Sequence, residues 1–293
     1  MTTSAAPEVL RYAAFTTEPA GGNPAGVVLD ASGLGEAAML AIAAEVGYSE
    51  TAFVTAAPDE LGEPGRAFAV RYFSPQREVP FCGHATVATA VALAERIGPG
   101  GLVFATQAGT VPVEVVADED GVLRATLTSV EPYVEAVGEA DVAQALAALG
   151  WRAEELDPRL PPRIAYAGAR HLVLVAGDRA RLRRLDYDFG RLAEYMTDRD
   201  LITLQLVWRE SADTFHVRDP FPVGGVVEDP ATGAAAAAFG AYLRELGEAG
   251  PDAVLTLRQG IEMGRPGVLR VELRDGDTRI RVSGAAVRIP AGD

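Results

Sequence analysis

Two segments of this chain can be accommodated only as helices enclosed on every side. One is Phe81-Cys82-Gly83-His84-Ala85-Thr86-Val87-Ala88-Thr89-Ala90-Val91-Ala92-Leu93, the other Asp229-Pro230-Ala231-Thr232-Gly233-Ala234-Ala235-Ala236-Ala237-Ala238-Phe239. Each opens with a polar, glycine-containing turn and runs into a stretch made almost wholly of small apolar residues and Thr. A helix on a protein surface carries a polar stripe, whereas one that is small and apolar all round has to be buried. Its first turn still presents unpaired backbone N–H groups and the positive end of the helix dipole. The sequence thus predicts two buried helices whose starts are receptive to anions.

The two segments belong to a longer repeat. Val70-Arg71 recurs as Val217-Arg218, Gly83 as Gly233 and Gln107 as Gln259, at a nearly constant offset of about 150 residues, which points to a duplicated unit. A chain of 293 residues also exceeds the usual size of a single core. In the first half, hydrophobic patterning predicts strands at 27–29, 51–55, 67–73, 102–106, 111–116 and 124–128. A helix is predicted over 35–46, with Met39, Ile42, Ala43 and Val46 on its buried face. The second half reads as helices near 140–149, 189–196 and 232–246, with strands near 171–175, 203–208, 214–217, 254–258, 268–274 and 279–284. Pro132 marks the crossing, giving domains at 1–131 and 132–285, with residues 286–293 returning to the first. Each half is expected to curl a mostly antiparallel sheet around its own helix, and two such halves facing each other would leave a cleft where ligands bind.

Composition narrows the partners. The formal net charge of −15 leaves no basic excess to neutralise phosphates, so neither nucleic acid nor an anionic membrane is an expected partner. One cysteine, Cys82, precludes an intrachain disulfide. No apolar run approaches the length that spans a bilayer, and residues 1–7 lack the features of a signal peptide. The expected location is the cytoplasm.

Glu50 is the leading candidate for chemistry. In a strand over 48–54, alternation would put Tyr48, Glu50, Ala52 and Val54 on one face and strand a carboxylate among apolar neighbours. Burial favours the neutral carboxyl, which suits a residue that takes and returns a proton near neutral pH. The same segment also fits a strand-end Glu that meets water or an Arg. His84, at the start of the first buried helix, reads as a donor to a substrate anion, as a proton-transfer partner, or as a polar residue bonded to nearby backbone. Asp229 reads as a site carboxylate or a helix cap, and Cys82 as a buried small residue rather than a nucleophile. His171 and His216 lack paired-ligand spacing, and HExxH, CxxC and calcium-loop patterns do not occur, so no metal site is expected. Gly21-Gly22-Asn23-Pro24-Ala25-Gly26 matches no nucleotide-binding motif and reads as a tight turn.

Taken together, these residues resemble the phenazine-biosynthesis PhzF-like isomerase family, a branch of the diaminopimelate-epimerase-like fold. The resemblance rests on Gly22-Asn23-Pro24-Ala25-Gly26-Val27, Tyr48-Ser49-Glu50-Thr51-Ala52-Phe53, Val70-Arg71-Tyr72-Phe73, Cys82-Gly83-His84-Ala85-Thr86 and Glu228-Asp229-Pro230-Ala231-Thr232-Gly233. Gln259-Gly260 and Met263-Gly264-Arg265-Pro266 also match, and the motifs span nearly the whole chain in order. The resemblance implies an α+β chain of two pseudo-symmetric epimerase-like domains, a homodimer, and neither organic cofactor nor metal. It further implies that Glu50 is the general acid/base, that His84 and Asp229 support it, and that a substrate carboxylate rests on Gly83, Ala85, Thr232, Gly233 and Ala234.

Two departures matter. Phenazine enzymes of the family usually carry Ser where this chain has Ala234, which bears on the identity or orientation of the substrate. Relative to diaminopimelate epimerases the cysteine pair is absent, with Pro230 near the place of the second, which disfavours racemisation through two thiols. The expected activity is therefore a cofactor-independent isomerase that moves a proton and a double bond in a small carboxylate-bearing substrate. An amino-acid epimerase or racemase with another second base, and a non-catalytic small-molecule-binding member of the family, are the alternatives.

Overall fold

A computed structural model describes residues 7–57 and 60–290; residues 1–6, on which the signal-peptide reading mostly falls, lie outside the described residues. The chain divides into two compact units, one running to Thr128 and resuming at Ser283, the other covering Ser129–Val282.

The first unit is built from β1 (Leu10–Ala14), β2 (Asn23–Val28), α1 (Glu36–Val46), β3 (Thr51–Thr55), β4 (Ala67–Phe73), β5 (Glu78–Val79), α2 (Gly83–Ile97), β6 (Gly100–Thr106), β7 (Gly109–Ala117) and β8 (Leu123–Thr128). β1 and β2 are antiparallel, β2 and β3 parallel, and β3 and β4 antiparallel. β4 then runs parallel to β6, and β6–β7–β8 form an antiparallel meander, with the short β5 also on β4. α2 packs on β1, β2, β3, β7 and β8, so the sheet curls around it. That is why every residue from His84 to Ala94 is buried and why the helix carries no long side chain there.

The second unit repeats this plan. Its elements are β9 (Tyr133–Ala136), α3 (Glu139–Leu149), β10 (Arg163–Tyr166), β11 (Arg170–Val175), α4 (Arg179–Arg183), α5 (Phe189–Thr197), β12 (Thr203–Arg209), β13 (Thr214–Pro220), β14 (Glu228–Asp229), α6 (Gly233–Glu245), β15 (Val254–Gln259), β16 (Gly267–Arg274) and the first half of β17 (Asp277–Arg288), whose residues from Ser283 onward belong to the first unit. β10–β11 is antiparallel, β11–β12 parallel, β12–β13 antiparallel, β13–β15 parallel and β15–β16 antiparallel. This is the order and sense of β1 through β7. α6 takes the place of α2, packed on β9, β10, β11, β12 and β16. Its small residues allow that approach: a Cβ on Gly240 would stand 2.8 Å from Val271 Cγ1. The end of β17 pairs with β1 in the first unit, Tyr12 opposite Arg288.

The duplication extends to an ion pair made by the two repeated arginines. Arg71 grips Glu78 with two bonds of 2.6 Å, joining β4 to β5. Arg218 grips Glu228 at 3.0 and 2.5 Å, joining β13 to β14. In each unit the pair fixes the short strand that leads into the buried helix.

Three sequence expectations need correcting here. Glu50 is not inside a strand: β3 begins at Thr51, and all of Thr51–Val54 is buried, so alternation does not set the environment of Glu50. On α1, Met39 and Ala43 are buried but Ile42 and Val46 only partly so. The strands β1, β9 and β10 were not anticipated; they are short and mix Ala, Arg and Tyr without a clear alternation, and pairing holds them in the sheet, β1 to β2 and β17 and β10 between β9 and β11.

Candidate active site

In the first unit, three chain segments converge on one imidazole. Gly22 turns the chain into β2 with φ of 52°, and a Cβ there would stand 2.0 Å from the Ala14 carbonyl oxygen. This left-handed turn, open to glycine and to few other residues, delivers the buried Asn23. Glu50 ends the loop before β3, where its carbonyl accepts from Gly26 N at 3.2 Å. Cys82 is the N-cap residue of α2, and His84 stands in the first turn.

Asn23 Nδ2 lies 3.2 Å from His84 Nδ1. On the other side of the ring, Nε2 lies 3.4 Å from Ser49 Oγ and 3.4 Å from Glu50 Oε2. An amide N–H pointing at Nδ1 makes that nitrogen the acceptor, so the proton of the neutral ring sits on Nε2 and faces the Glu50 carboxylate. The Cys82 thiol is within 3.5 Å of Glu50 Oε2 and 3.4 Å of His84 Nδ1. His84 and Cys82 are buried, while the Glu50 side chain is 19% exposed, enough to meet a ligand from solvent.

The second unit holds Asp229 in a different manner. Asp229 lies on β14, and its Oδ2 accepts from Thr232 Oγ1 at 2.6 Å. It does not cap α6, whose N-terminus has no side-chain cap. Gln259 ties the turn together: its Oε1 accepts from Thr232 N at 3.0 Å, and its Nε2 donates to the Asp229 carbonyl at 2.8 Å and to Asp219 Oδ2 at 3.2 Å. Asp219 is wholly buried beneath this turn, and with its amide nitrogen turned inward Gln205 donates to both Asp219 oxygens at 3.1 and 2.7 Å. Burial, reinforced by the nearby Asp229 and Glu228, raises the Asp219 pKa well above the usual carboxylate range.

The residues expected to hold a substrate carboxylate, Gly83 and Ala85 in one unit and Thr232, Gly233 and Ala234 in the other, all lie at the start of α2 or α6. Neither helix start has a side-chain cap, so the dipole end of each is left to other partners. His171 and His216 serve elsewhere. His171 is fully buried on β11 against Thr203 Oγ1 at 2.8 Å, and burial pushes its pKa down to about 3. His216 lies against Trp208 and bonds Glu210 at 3.2 Å.

Sequence reasoning missed Asn23, Ser49 and Cys82 around His84, and Gln205 and Asp219 beneath Asp229. The first three stand inside or beside recognised motifs, so the available signal was that polar residues there accompany His84 rather than form turns. It also missed that Glu50, Cys82 and His84 bring ligand-competent atoms within 4.8 Å of one another. No metal motif appears in the spacing because Glu50 joins from 32 residues before Cys82.

Comparison with known proteins agrees with this architecture. A family model described as phenazine biosynthesis-like protein, PhzC-PhzF, matches residues 12–292. An uncharacterized isomerase of Deinococcus radiodurans is 36% identical over 92% of this chain and 87% of its own length. The trans-2,3-dihydro-3-hydroxyanthranilate isomerase of Pseudomonas chlororaphis is 33% identical over 95% of this chain and 96% of its own. The crystal structure of a Bacillus anthracis phenazine biosynthesis protein of the PhzF family superposes with a TM-score of 0.84 at 27% identity, covering 97% of this chain and 98% of that one.

Proposed function

The chain belongs to the phenazine-biosynthesis-like PhzF family, has its diaminopimelate-epimerase-like fold and is an isomerase, and from that premise we propose that it moves a proton between two carbons of a small carboxylate-bearing substrate, with Glu50 as the carrier. The observation that carries this reading is the Glu50 Oε2–His84 Nε2 contact of 3.4 Å, with the other ring nitrogen taken by Asn23.

The Glu50 carboxylate takes a proton from a carbon beside a double bond, leaving a delocalised anion. The resulting carboxylic acid returns that proton to another carbon of the same system, and the double bond shifts with no net gain or loss of atoms. His84, presenting an N–H from Nε2, orients Glu50. The first turn of α2, at Gly83–Ala85, offers N–H groups for a substrate carboxylate, and the first turn of α6, at Thr232–Ala234, offers a second such set in the other unit. Asp229 is fixed by Thr232, the N-cap residue of α6. None of these steps calls for an organic cofactor or a metal. A homodimer and a cytoplasmic location complete the proposal; no helix among the described residues is long and apolar enough to cross a membrane.

Glu50→Gln is the direct test, since the amide keeps the shape but cannot carry the proton. With trans-2,3-dihydro-3-hydroxyanthranilate as probe, turnover should fall by at least about a hundredfold; turnover at the wild-type rate refutes the role.

The epimerase alternative needs a second base, and the thiol beside Glu50 invites that assignment. Two bases that invert one carbon must face it from opposite sides, each about 3–3.5 Å away and hence roughly 6–7 Å apart. Cys82 Sγ stands 3.5 Å from Glu50 Oε2, on the same side of any substrate. Cys82 is therefore not the opposing base, and the one-carboxylate isomerase is favoured.

A further inference from the structure

Glu50, Cys82 and His84 supply an oxygen, a sulfur and a nitrogen donor within one small volume. In tetrahedral zinc sites the bond lengths are about 2.0–2.2 Å to oxygen, 2.0–2.1 Å to nitrogen and 2.3 Å to sulfur, which sets ligand-to-ligand edges of about 3.3–3.6 Å. The edges here are 3.5 Å from Cys82 Sγ to Glu50 Oε2, 3.4 Å from His84 Nε2 to Glu50 Oε2 and 3.8 Å from Sγ to Nε2. Two already match, and the third has to close by a few tenths of an ångström. Two donors stand at the N-terminus of α2, Cys82 as its N-cap residue and His84 in its first turn, so they are brought together without a ligand.

We propose that Glu50, Cys82 and His84 form a three-ligand site for a borderline-soft divalent cation of the zinc class, and that an ion held there inhibits the enzyme by occupying the Glu50 carboxylate. Binding releases the thiol proton to solvent and forms a metal–thiolate bond. His84 then coordinates through Nε2 and carries its proton on Nδ1, and Asn23 accepts that proton's hydrogen bond through its amide oxygen after a half-turn of the amide. The fourth position, opposite the three side chains, is left to water. Binding stands on this geometry alone; its inhibitory consequence rests on the isomerase reading.

The test is titration of the purified full chain with Co2+ as a spectroscopic probe, followed by displacement with Zn2+. One equivalent should bind with a thiolate-to-metal charge-transfer band and the visible bands of a four-coordinate ion, and Zn2+ should remove both. Cys82→Ser should abolish the charge-transfer band. Glu50→Gln and His84→Gln should each weaken the ion by about tenfold or more, with folding checked by circular dichroism. Bound Zn2+ should also protect Cys82 from alkylation. Absence of saturable binding overturns the site, as does a band that persists at undiminished affinity in both Glu50→Gln and His84→Gln, which marks a lone thiol holding an adventitious ion. The two claims separate cleanly. If Zn2+ binds through these ligands while the probe substrate still turns over, inhibition fails together with the role of Glu50. If Zn2+ does not bind while Glu50→Gln is inactive, only the metal site fails.

Discussion

The His84 imidazole reaches the Glu50 carboxylate with Nε2 at 3.4 Å while its Nδ1 is held by Asn23 at 3.2 Å. One ring thus has both nitrogens committed, and the direction of each bond follows from the amide that points at it. A carboxylate faced by a fixed N–H is positioned for proton transfer in a way that a freely rotating one is not.

Asn23 is therefore a positioning residue. In Asn23→Ala the ring loses the partner that selects its tautomer, and kcat should fall by about tenfold, the equivalent of one lost buried hydrogen bond. KM should move much less, because Asn23 orients the ring rather than binding the substrate. A kcat per folded molecule equal to that of the wild type, alongside a reduced folded fraction, would mark a purely structural role.

Ala234 lies in the first turn of α6, where phenazine enzymes of the family carry Ser. Ala234→Ser restores one hydroxyl without lengthening the side chain beyond what a partly buried position accepts. Turnover of trans-2,3-dihydro-3-hydroxyanthranilate should rise by several-fold in the variant. A fall in kcat/KM for that probe would show that the hydroxyl is not what the site lacks toward it.

The duplicated ion pairs predict unequal costs. The side chains of Arg218 and Glu228 are 9% and 3% exposed, and removing one charge strands the other. Glu228→Gln should cost about 3–5 kcal/mol. The Arg71 side chain is 32% exposed and Glu78 14% exposed, so solvent screens the charge left behind and Glu78→Gln should cost nearer 1 kcal/mol. Urea unfolding of the two variants measures the difference; equal costs would contradict the burial argument.

His171 gives a pH dependence with a definite sign. Its ordinary pKa is 6.5 and burial lowers it to about 3. Between those values the unfolded chain binds a proton at His171 and the folded chain does not. Its contribution to stability is therefore complete above pH 6.5 and is lost as pH falls toward 3, at up to about 1.4 kcal/mol per pH unit. His171→Phe keeps the bulk and removes the titration, so its stability should fall less steeply between pH 6.5 and 5. Parallel slopes for the two proteins would show that His171 is not buried neutral.

Much of the fold was legible because its signals are local. The helices α2 and α6 follow from unbroken small residues, and β3 and β4 were placed to the residue because β-branched and aromatic side chains cluster there between turns. The repeat was visible through Arg71 and Arg218, although their partners Glu78 and Glu228 were overlooked. What could not be read is where chain-distant groups meet. Glu50 was valued for a strand alternation it does not have, while its actual partners, His84 and Cys82, arrive from another element. Asp219 gave no signal at all, since a carboxylate in a strand is ordinarily exposed and only the tertiary structure buries it under Gln205 and Gln259.

The central claim is that Glu50 carries one proton between two different carbons. Following the reaction of the probe substrate in D2O by NMR and mass spectrometry tests this most directly. Wild-type protein should form an isomer whose new C–H or C–D bond lies at a carbon other than the one that lost hydrogen, and Glu50→Gln should form none above background. Deuterium appearing on the same carbon that lost hydrogen, or isomer formed at the wild-type rate by Glu50→Gln, would contradict it.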